Sequence, residues 1–157
     1  MGNPYSNLQK DILKDESKLN LADAADLIAA RMFPIIHGGW AGAVLFDQQA
    51  AYRLARQFRR LKVSREPILM SDGYFSQIRR KVYSKVPILT VGGPEANNFS
   101  RQLCLRHELL WYGTIAGIIE RRRKPPIGYA WGPHINGTLK AVDDFESTHL
   151  NTFAKYL

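Results

Sequence analysis

The chain has 157 residues, of which 45% are hydrophobic and 23% are charged, and it contains one cysteine. This composition is typical of a single globular domain that buries a core without disulfides, and it excludes a multi-cysteine zinc site. No apolar run approaches the roughly 20 residues of a membrane helix, and the N-terminus lacks the apolar segment of a signal peptide. We therefore expect a cytoplasmic protein without a membrane partner.

The formal net charge is +8, and it is concentrated in one part of the chain. Between Arg53 and Lys85 there are ten basic and two acidic residues, whereas the remainder carries equal numbers of each sign. Such a positive block attracts anions, which include nucleic acid, phosphorylated ligands and acidic proteins. The simpler explanation is that these residues form the solvated faces of two helices.

The pattern of apolar residues divides the chain at about residue 32. Residues 1–32 are predicted to form two short helices, as a helical N-terminal extension. From Phe33 onward, short apolar runs end in glycine-rich or polar turns and are followed by amphipathic stretches. This alternation predicts a single α/β domain over residues 33–157, with a mainly parallel sheet.

The first half of this domain has well-defined predicted elements. A helix from Ala43 to about Lys62 places apolar residues on one face and Arg53, Arg56 and Arg60 on the other. An apolar run that ends at Ile36 precedes this helix. The helix is followed in chain order by a strand over 67–70, a helix over 74–84, a strand over 87–91 and a helix containing Phe99 and Leu103. Because Pro-Ile-Leu opens both later strands, we expect them to be neighbours in the sheet.

The second half is less determined. Residues 109–119 fit a strand, a hairpin or a buried helix equally well, since a short apolar run does not distinguish these. Residues 121–126 are predicted to form an exposed turn, 127–131 a last strand, 132–137 a loop and 138–156 a closing helix. The fold predicted is a three-layer Rossmann-like domain, with four to five mainly parallel strands and helices on both faces.

The strongest candidate site is the segment from Ile88 to Asn98, in which Gly92 and Gly93 follow a strand and precede a helix. Two glycines let the backbone approach a ligand, and the free N–H groups of the next helix favour an anion. The amides of Asn97 and Asn98 are candidate contacts to the polar part of that ligand. The alternative is a tight turn in which Asn caps the helix.

Three further loops are predicted at the same edge, because ligands of open α/β sheets bind beyond the carboxyl ends of the strands. One contains His37, Gly38, Gly39 and Trp40, the second Ser71 and Asp72, and the third His134 and Asn136. The candidate ligand-binding residues are His37, Gly38, Gly39, Ser71, Gly92, Gly93, Asn97, Asn98, His134 and Asn136. Asp72 precedes a glycine and is also an ordinary turn residue.

The closing helix carries Glu146 and His149 within its apolar stripe. A buried ionisable pair at this spacing either forms a structural bond or serves a site. The candidate catalytic groups are therefore Asp72, Glu95, Glu146 and His149. No metal site and no cofactor are predicted.

Three functional hypotheses follow. The leading one is a pocket for a nucleotide or another phosphorylated or anionic small molecule, with hydrolysis or group transfer as the reaction if the protein is an enzyme. The alternative is a non-catalytic nucleic-acid-binding module, which uses the basic face 53–85 and the turn 121–124. Its candidate contacts are Arg53, Arg56, Arg60, Arg79, Arg80, Lys81, Arg121, Arg122 and Arg123. The third is a scaffold or homo-oligomer subunit with Trp40, Trp111 and Trp131 at the interface.

Overall fold

A computed structural model describes residues 21–157, except for the side chains of residues 41 and 44. The helices are α1 (Leu21–Arg31), α2 (Ala41–Arg60), α3 (Asp72–Val82), α4 (Asn98–His107), α5 (His134–Thr148) and α6 (Leu150–Ala154). The strands are β1 (Met32–His37), β2 (Glu66–Ser71), β3 (Ile88–Val91), β4 (Ile115–Arg121) and β5 (Lys124–Trp131). The predicted helix that precedes α1 lies outside the described residues.

The strands form one five-stranded sheet in the order β2-β1-β3-β5-β4. All neighbouring pairs are parallel except β4 and β5, which form an antiparallel hairpin. Since β1 and β2 lie side by side and β3 then returns to the other side of β1, the strand order reverses between β1 and β3. The predicted mainly parallel sheet with flanking helices is confirmed.

Helices cover both faces of the sheet because the strand side chains alternate between two cores. On one face, Phe33 and Ile35 of β1 pack with α2, α5 and α6, and Phe58 meets Phe33 edge-on at 5.2 Å. On the other face, Ile36 packs with α1, α3 and α4. Helix α1 contributes Ala25 and Ile28 to this second core. No helix among the described residues is long and apolar enough to cross a membrane.

Two expectations about the sheet are wrong. β2 and β3 share the Pro-Ile-Leu sequence but are separated by β1, which pairs with both of them. The expected six-residue turn over 121–126 is a tight hairpin, in which Arg121 pairs with Lys124 and Pro125 already belongs to β5. Proline is tolerated there because neither neighbouring strand pairs with residues 125 and 126: β3 pairs with β5 only from Ile127 onward, and the register with β4 shifts between Ile119 and Arg121.

The closing helix also differs from the expectation. It begins at His134 instead of 138, so Asn136 and Gly137 are helical residues and not part of a loop. Gly132 and Gly137 lie so close that a Cβ on Gly132 would stand 2.4 Å from the carbonyl carbon of Gly137. The helix then breaks at His149 and restarts as the short α6.

Candidate functional site

A cleft of about 460 Å³ opens beyond the carboxyl ends of β1, β3 and β5. It lies beside the reversal of strand order between β1 and β3, where open α/β sheets place their ligands. Its volume is within the range of about 300–1,000 Å³ that is usual for small-molecule sites. Three of the four predicted loops supply its walls, through Trp40, the segment 93–96 and the segment 132–135.

Two helices point their N-termini into this cleft. Gly42 and Ala43 belong to the first turn of α2, and His134 and Ile135 belong to the first turn of α5; all four line the cleft. Within the described chain, neither helix has a side-chain cap or an acidic residue in its first turn. The orphan N–H groups and positive dipole ends of both helices therefore favour an anionic group at this place.

The loop after β3 approaches the cleft through its glycines. The nitrogen of Gly92 donates to the carbonyl of Ala130 at 3.1 Å, and Gly92 adopts φ +96°. Gly93 accepts hydrogen bonds from the nitrogens of Ala96 and Asn97, which closes a tight turn. Gly93 lines the cleft, whereas Gly92 lies behind it and is buried.

The two asparagines of this loop do not enter the cleft. Asn97 is fully buried; its Oδ1 accepts from the nitrogens of Phe99 and Ser100, and its Nδ2 donates to Thr90 and Val91. Asn98 is exposed, and its backbone nitrogen donates to Asp72 at 2.7 Å. Asn97 therefore caps α4, as the alternative reading of this loop predicted.

Aromatic side chains form the outer walls of the cleft. Trp40 and Phe46 rise from the start of α2, and Trp111 and Tyr112 come from the loop between α4 and β4. Trp40 is 62% exposed and Tyr112 is 75% exposed. Trp131 is fully buried, and its Nε1 donates to the carbonyl of Leu110 at 3.1 Å, which anchors the loop that carries Trp111. Trp131 is thus a core residue and not an interface residue.

A buried carboxylate faces the same cleft. Asp47 of α2 is 8% exposed and lines the cleft. Burial raises the pKa of Asp47 to about 6. Of the described residues, none forms a hydrogen bond or ion pair with it. This combination of burial, raised pKa and position in a cleft is characteristic of functional carboxylates.

The loop after β1 supports the cleft from behind. His37 is buried, its Nδ1 lies 2.9 Å from the carbonyl oxygen of Gly38, and burial lowers its pKa. Gly38 packs against the β3 loop so closely that a Cβ would stand 2.1 Å from the carbonyl oxygen of Ala96. Neither His37, Gly38 nor Gly39 lines the cleft.

The fourth predicted loop lies elsewhere. Ser71 caps α3 by accepting from the nitrogen of Tyr74. Asp72 accepts from the nitrogens of Gly73 and Asn98, so both of its oxygens are used to tie α3 to α4. Asp72 and Asn98 line a separate groove between these helices, on the other face of the sheet. The structure assigns both loop residues a structural contact.

Glu146 and His149 are not a pair. Glu146 lies about 18 Å along α5 from His134, at about 1.5 Å per residue. It accepts a hydrogen bond from Arg53 at 2.9 Å. His149 caps the end of α5 and its ring contacts Phe145 at 5.7 Å. Among the predicted catalytic residues, Glu95 alone lines the cleft.

The predicted basic face is divided by the sheet. Arg56 and Arg60 belong to α2, whereas Arg80 and Lys81 belong to α3, on the opposite face. Several cations are also engaged within the protein. Arg53 pairs with Asp143 and Glu146, Lys81 pairs with Asp26, Arg79 contacts Gln102, and Arg121 donates to the carbonyls of Tyr83 and Pro125. The block 53–85 therefore does not form one continuous surface.

Three features of the cleft escaped the sequence analysis: Asp47, Phe46 and the pair Trp111 and Tyr112. Asp47 had a detectable signal, because it is the single acidic residue of α2 and lies at helical spacing from the buried Ala43, Ala51 and Leu54. A carboxylate on an apolar stripe marks a candidate site. Trp111 was named only as a candidate interface residue and Tyr112 not at all, since their segment fitted three kinds of element and could not be placed beside the cleft.

Comparison with models of known protein families and with curated proteins gives no match for this chain. In the part of the chain that the structure describes, no group of three His, Cys, Asp or Glu side chains is placed to hold a metal ion.

Proposed function

We propose that this protein binds a nucleotide-like small molecule, with an anionic group and an aromatic heterocycle, in the cleft beyond β1, β3 and β5. One observation carries the proposal. The first turns of α2 and α5 and the aromatic side chains of Trp40, Phe46, Trp111 and Tyr112 converge on a single cleft.

The helix N-termini form the half of the site that would bind the anionic group of the ligand. A phosphate or carboxylate near Gly42 and Ile135 would accept hydrogen bonds from backbone N–H groups that have no side-chain cap. Two helix dipoles would act on the same group. This half of the site needs no arginine or lysine, and among the described residues none lines the cleft.

The aromatic walls provide the other half. Trp40 and Tyr112 have large aromatic side chains that are mostly exposed to solvent. The exposed fraction is 62% for Trp40 and 75% for Tyr112. Stacking of a nucleobase on such rings is worth about 1–3 kcal/mol per base. A ligand with a planar heterocycle would therefore cover apolar surface that is otherwise solvated.

Hydrolysis or group transfer on this ligand is the corresponding catalytic hypothesis, with Glu95 as the predicted acid or base that lies in the cleft. The fold by itself does not assign a reaction. The alternative, a nucleic-acid-binding module, has less support, because Arg53, Lys81 and Arg121 already have partners within the protein.

The test is isothermal titration calorimetry with nucleosides, nucleoside 5′-monophosphates and short oligonucleotides at low and high salt. We expect a monophosphate to bind and to tolerate salt. Ile135→Glu places a negative charge in the first turn of α5, which suits the helix but repels an anion, so affinity should fall at least tenfold. Ile135→Gln, which is uncharged and of similar size to glutamate, is the matched control and should retain affinity within about threefold.

Two results would contradict the proposal. One is the failure of every monophosphate to bind the folded wild-type protein at millimolar concentration. The other is equal binding by the two Ile135 variants. Binding of oligonucleotides alone, lost at high salt, would favour the nucleic-acid alternative, because phosphate-backbone binding weakens steeply with salt.

A further inference from the structure

The buried part of the cleft imposes a condition on any ligand that fills it. The Asp47 side chain reaches back along α2 toward Ala43, since helical side chains tilt toward the N-terminus of their helix. Its carboxylate packs so closely on Gly92 that a Cβ there would stand 2.2 Å from Oδ2. Only 8% of the residue is exposed, and it faces the cleft.

A ligand that displaces water from the cleft therefore removes the last solvent contact of Asp47. A buried carboxylate left without a donor is destabilised, because it loses its hydrogen bonds to water and gains none in return. Among the described residues, no side chain or backbone group donates to it. The donor has to come from the ligand.

We propose that Asp47 selects the ligand by accepting a hydrogen bond from a hydroxyl or N–H group that the ligand places against the cleft-facing side of its carboxylate. The inference rests on the proposed function and adds a second requirement to it. The ligand carries an anionic group for the N-termini of α2 and α5, and a separate donor group for Asp47. Bare phosphate satisfies the first requirement and is repelled by Asp47.

Two sources supply such a donor in a nucleotide: the hydroxyls of the sugar and the N–H groups of the base. Both make a charge-assisted hydrogen bond to a carboxylate, which is stronger than a bond between neutral groups. Replacing Asp47 by asparagine keeps the shape and removes the charge. For a ligand with a donor at this position affinity should fall, whereas for inorganic phosphate the loss of repulsion should leave affinity unchanged or increase it.

The experiment is a calorimetric titration of the wild type, Asp47→Asn and Asp144→Asn with four probes: inorganic phosphate, ribose 5-phosphate, ribonucleoside 5′-monophosphates and their 2′-deoxy forms. Asp144 is exposed on α5 and outside the cleft, so its variant controls for the loss of one negative charge. Circular dichroism and thermal unfolding establish that each variant is folded.

We expect at least a tenfold loss of nucleotide affinity in Asp47→Asn, no loss for inorganic phosphate, and no comparable loss in Asp144→Asn. A parallel loss for ribose 5-phosphate identifies a sugar hydroxyl as the donor, and a loss restricted to nucleotides identifies the base. Equal or tighter nucleotide binding by Asp47→Asn overturns this inference and leaves the proposed function standing. Failure of every probe to bind the wild type overturns both.

Discussion

The carboxylate of Asp47 packs against Gly92, which is buried behind the cleft. A Cβ on residue 92 would stand 2.2 Å from Oδ2 of Asp47, a distance too short for any side chain to be accommodated there. Gly92 also adopts φ +96°, a conformation that residues with a Cβ rarely take. The close packing of the β3 loop on the Asp47 carboxylate therefore requires that residue 92 has no Cβ.

The first prediction concerns the two adjacent glycines of this loop. Gly92→Ala should lower the free energy of unfolding by at least about 2 kcal/mol, since it combines backbone strain with a clash against a buried carboxylate. Gly93→Ala is the control, because its Cβ would lie 3.8 Å from the nearest atom of Trp131. Chemical denaturation measures both, and equal losses would contradict the prediction.

The second prediction concerns the pH dependence of stability. Burial raises the pKa of Asp47 from 3.8 to about 6, so the folded state disfavours the ionised form. The resulting penalty is absent below about pH 4 and complete above about pH 6. Asp47→Asn removes it, and its stability relative to wild type should increase between pH 4 and pH 7 by up to about 3 kcal/mol.

This comparison is made by urea denaturation at several pH values. Glu95 and His134, which also line the cleft, are present in both proteins, so their contributions cancel. Asp144→Asn again controls for the loss of one charge. Parallel profiles of the wild type and Asp47→Asn would show that Asp47 is not held in a desolvated environment.

The third prediction separates Asn97 from Asn98. Asn97→Ala removes the cap of α4 and leaves the backbone nitrogens of Phe99 and Ser100 without their acceptor, so stability should fall by about 2–4 kcal/mol. Asn98→Ala leaves the backbone bond to Asp72 intact and should change stability by less than about 0.5 kcal/mol. Thermal unfolding of the two variants decides the matter, and similar melting temperatures would be the contrary result.

The fourth prediction concerns the arginines of α2. Arg53→Ala leaves Glu146 without its partner, and Oε1 of that half-buried carboxylate already has none among the described residues. The cost should be roughly 1 kcal/mol, limited by the 42% exposure of Arg53. Arg56→Ala, on the same helix and exposed, should change stability by less than about 0.5 kcal/mol. A larger effect at Arg56 would show that the Arg53 pairing is unimportant.

The predicted elements follow directly from local patterns. The stripe of Ala51, Leu54 and Phe58 establishes α2, and the run from Ile88 to Val91 followed by two glycines establishes β3 and its loop. The break of the closing helix at His149 is not marked in the apolar period, since Leu150 and Phe153 after the break pack into the same core as Phe145 before it.

The sequence predicted only part of the site, because local patterns locate the loops but do not establish which of them meet. The sequence placed Gly93, Glu95 and His134 beyond strand ends, and the structure puts all three in one cleft. It also expected Asp72 there, but strand order is decided by long-range packing, which local periodicity does not encode. Asp72 lies outside the cleft, because it begins α3 on the other face of the sheet and its carboxylate is bonded to the nitrogens of Gly73 and Asn98.

The sequence by itself determined the alternation of strands and helices, the parallel sheet and the loops at its carboxyl edge, because these depend on hydrophobic period and turn chemistry. Only the tertiary structure decided which loops share a cleft and which charged groups lose water. Asp47 acquires its raised pKa and Arg53 its two carboxylate partners from residues distant in the chain. Desolvation and ion pairing are properties of the packed chain, so they emerge only when the helices are placed on the sheet.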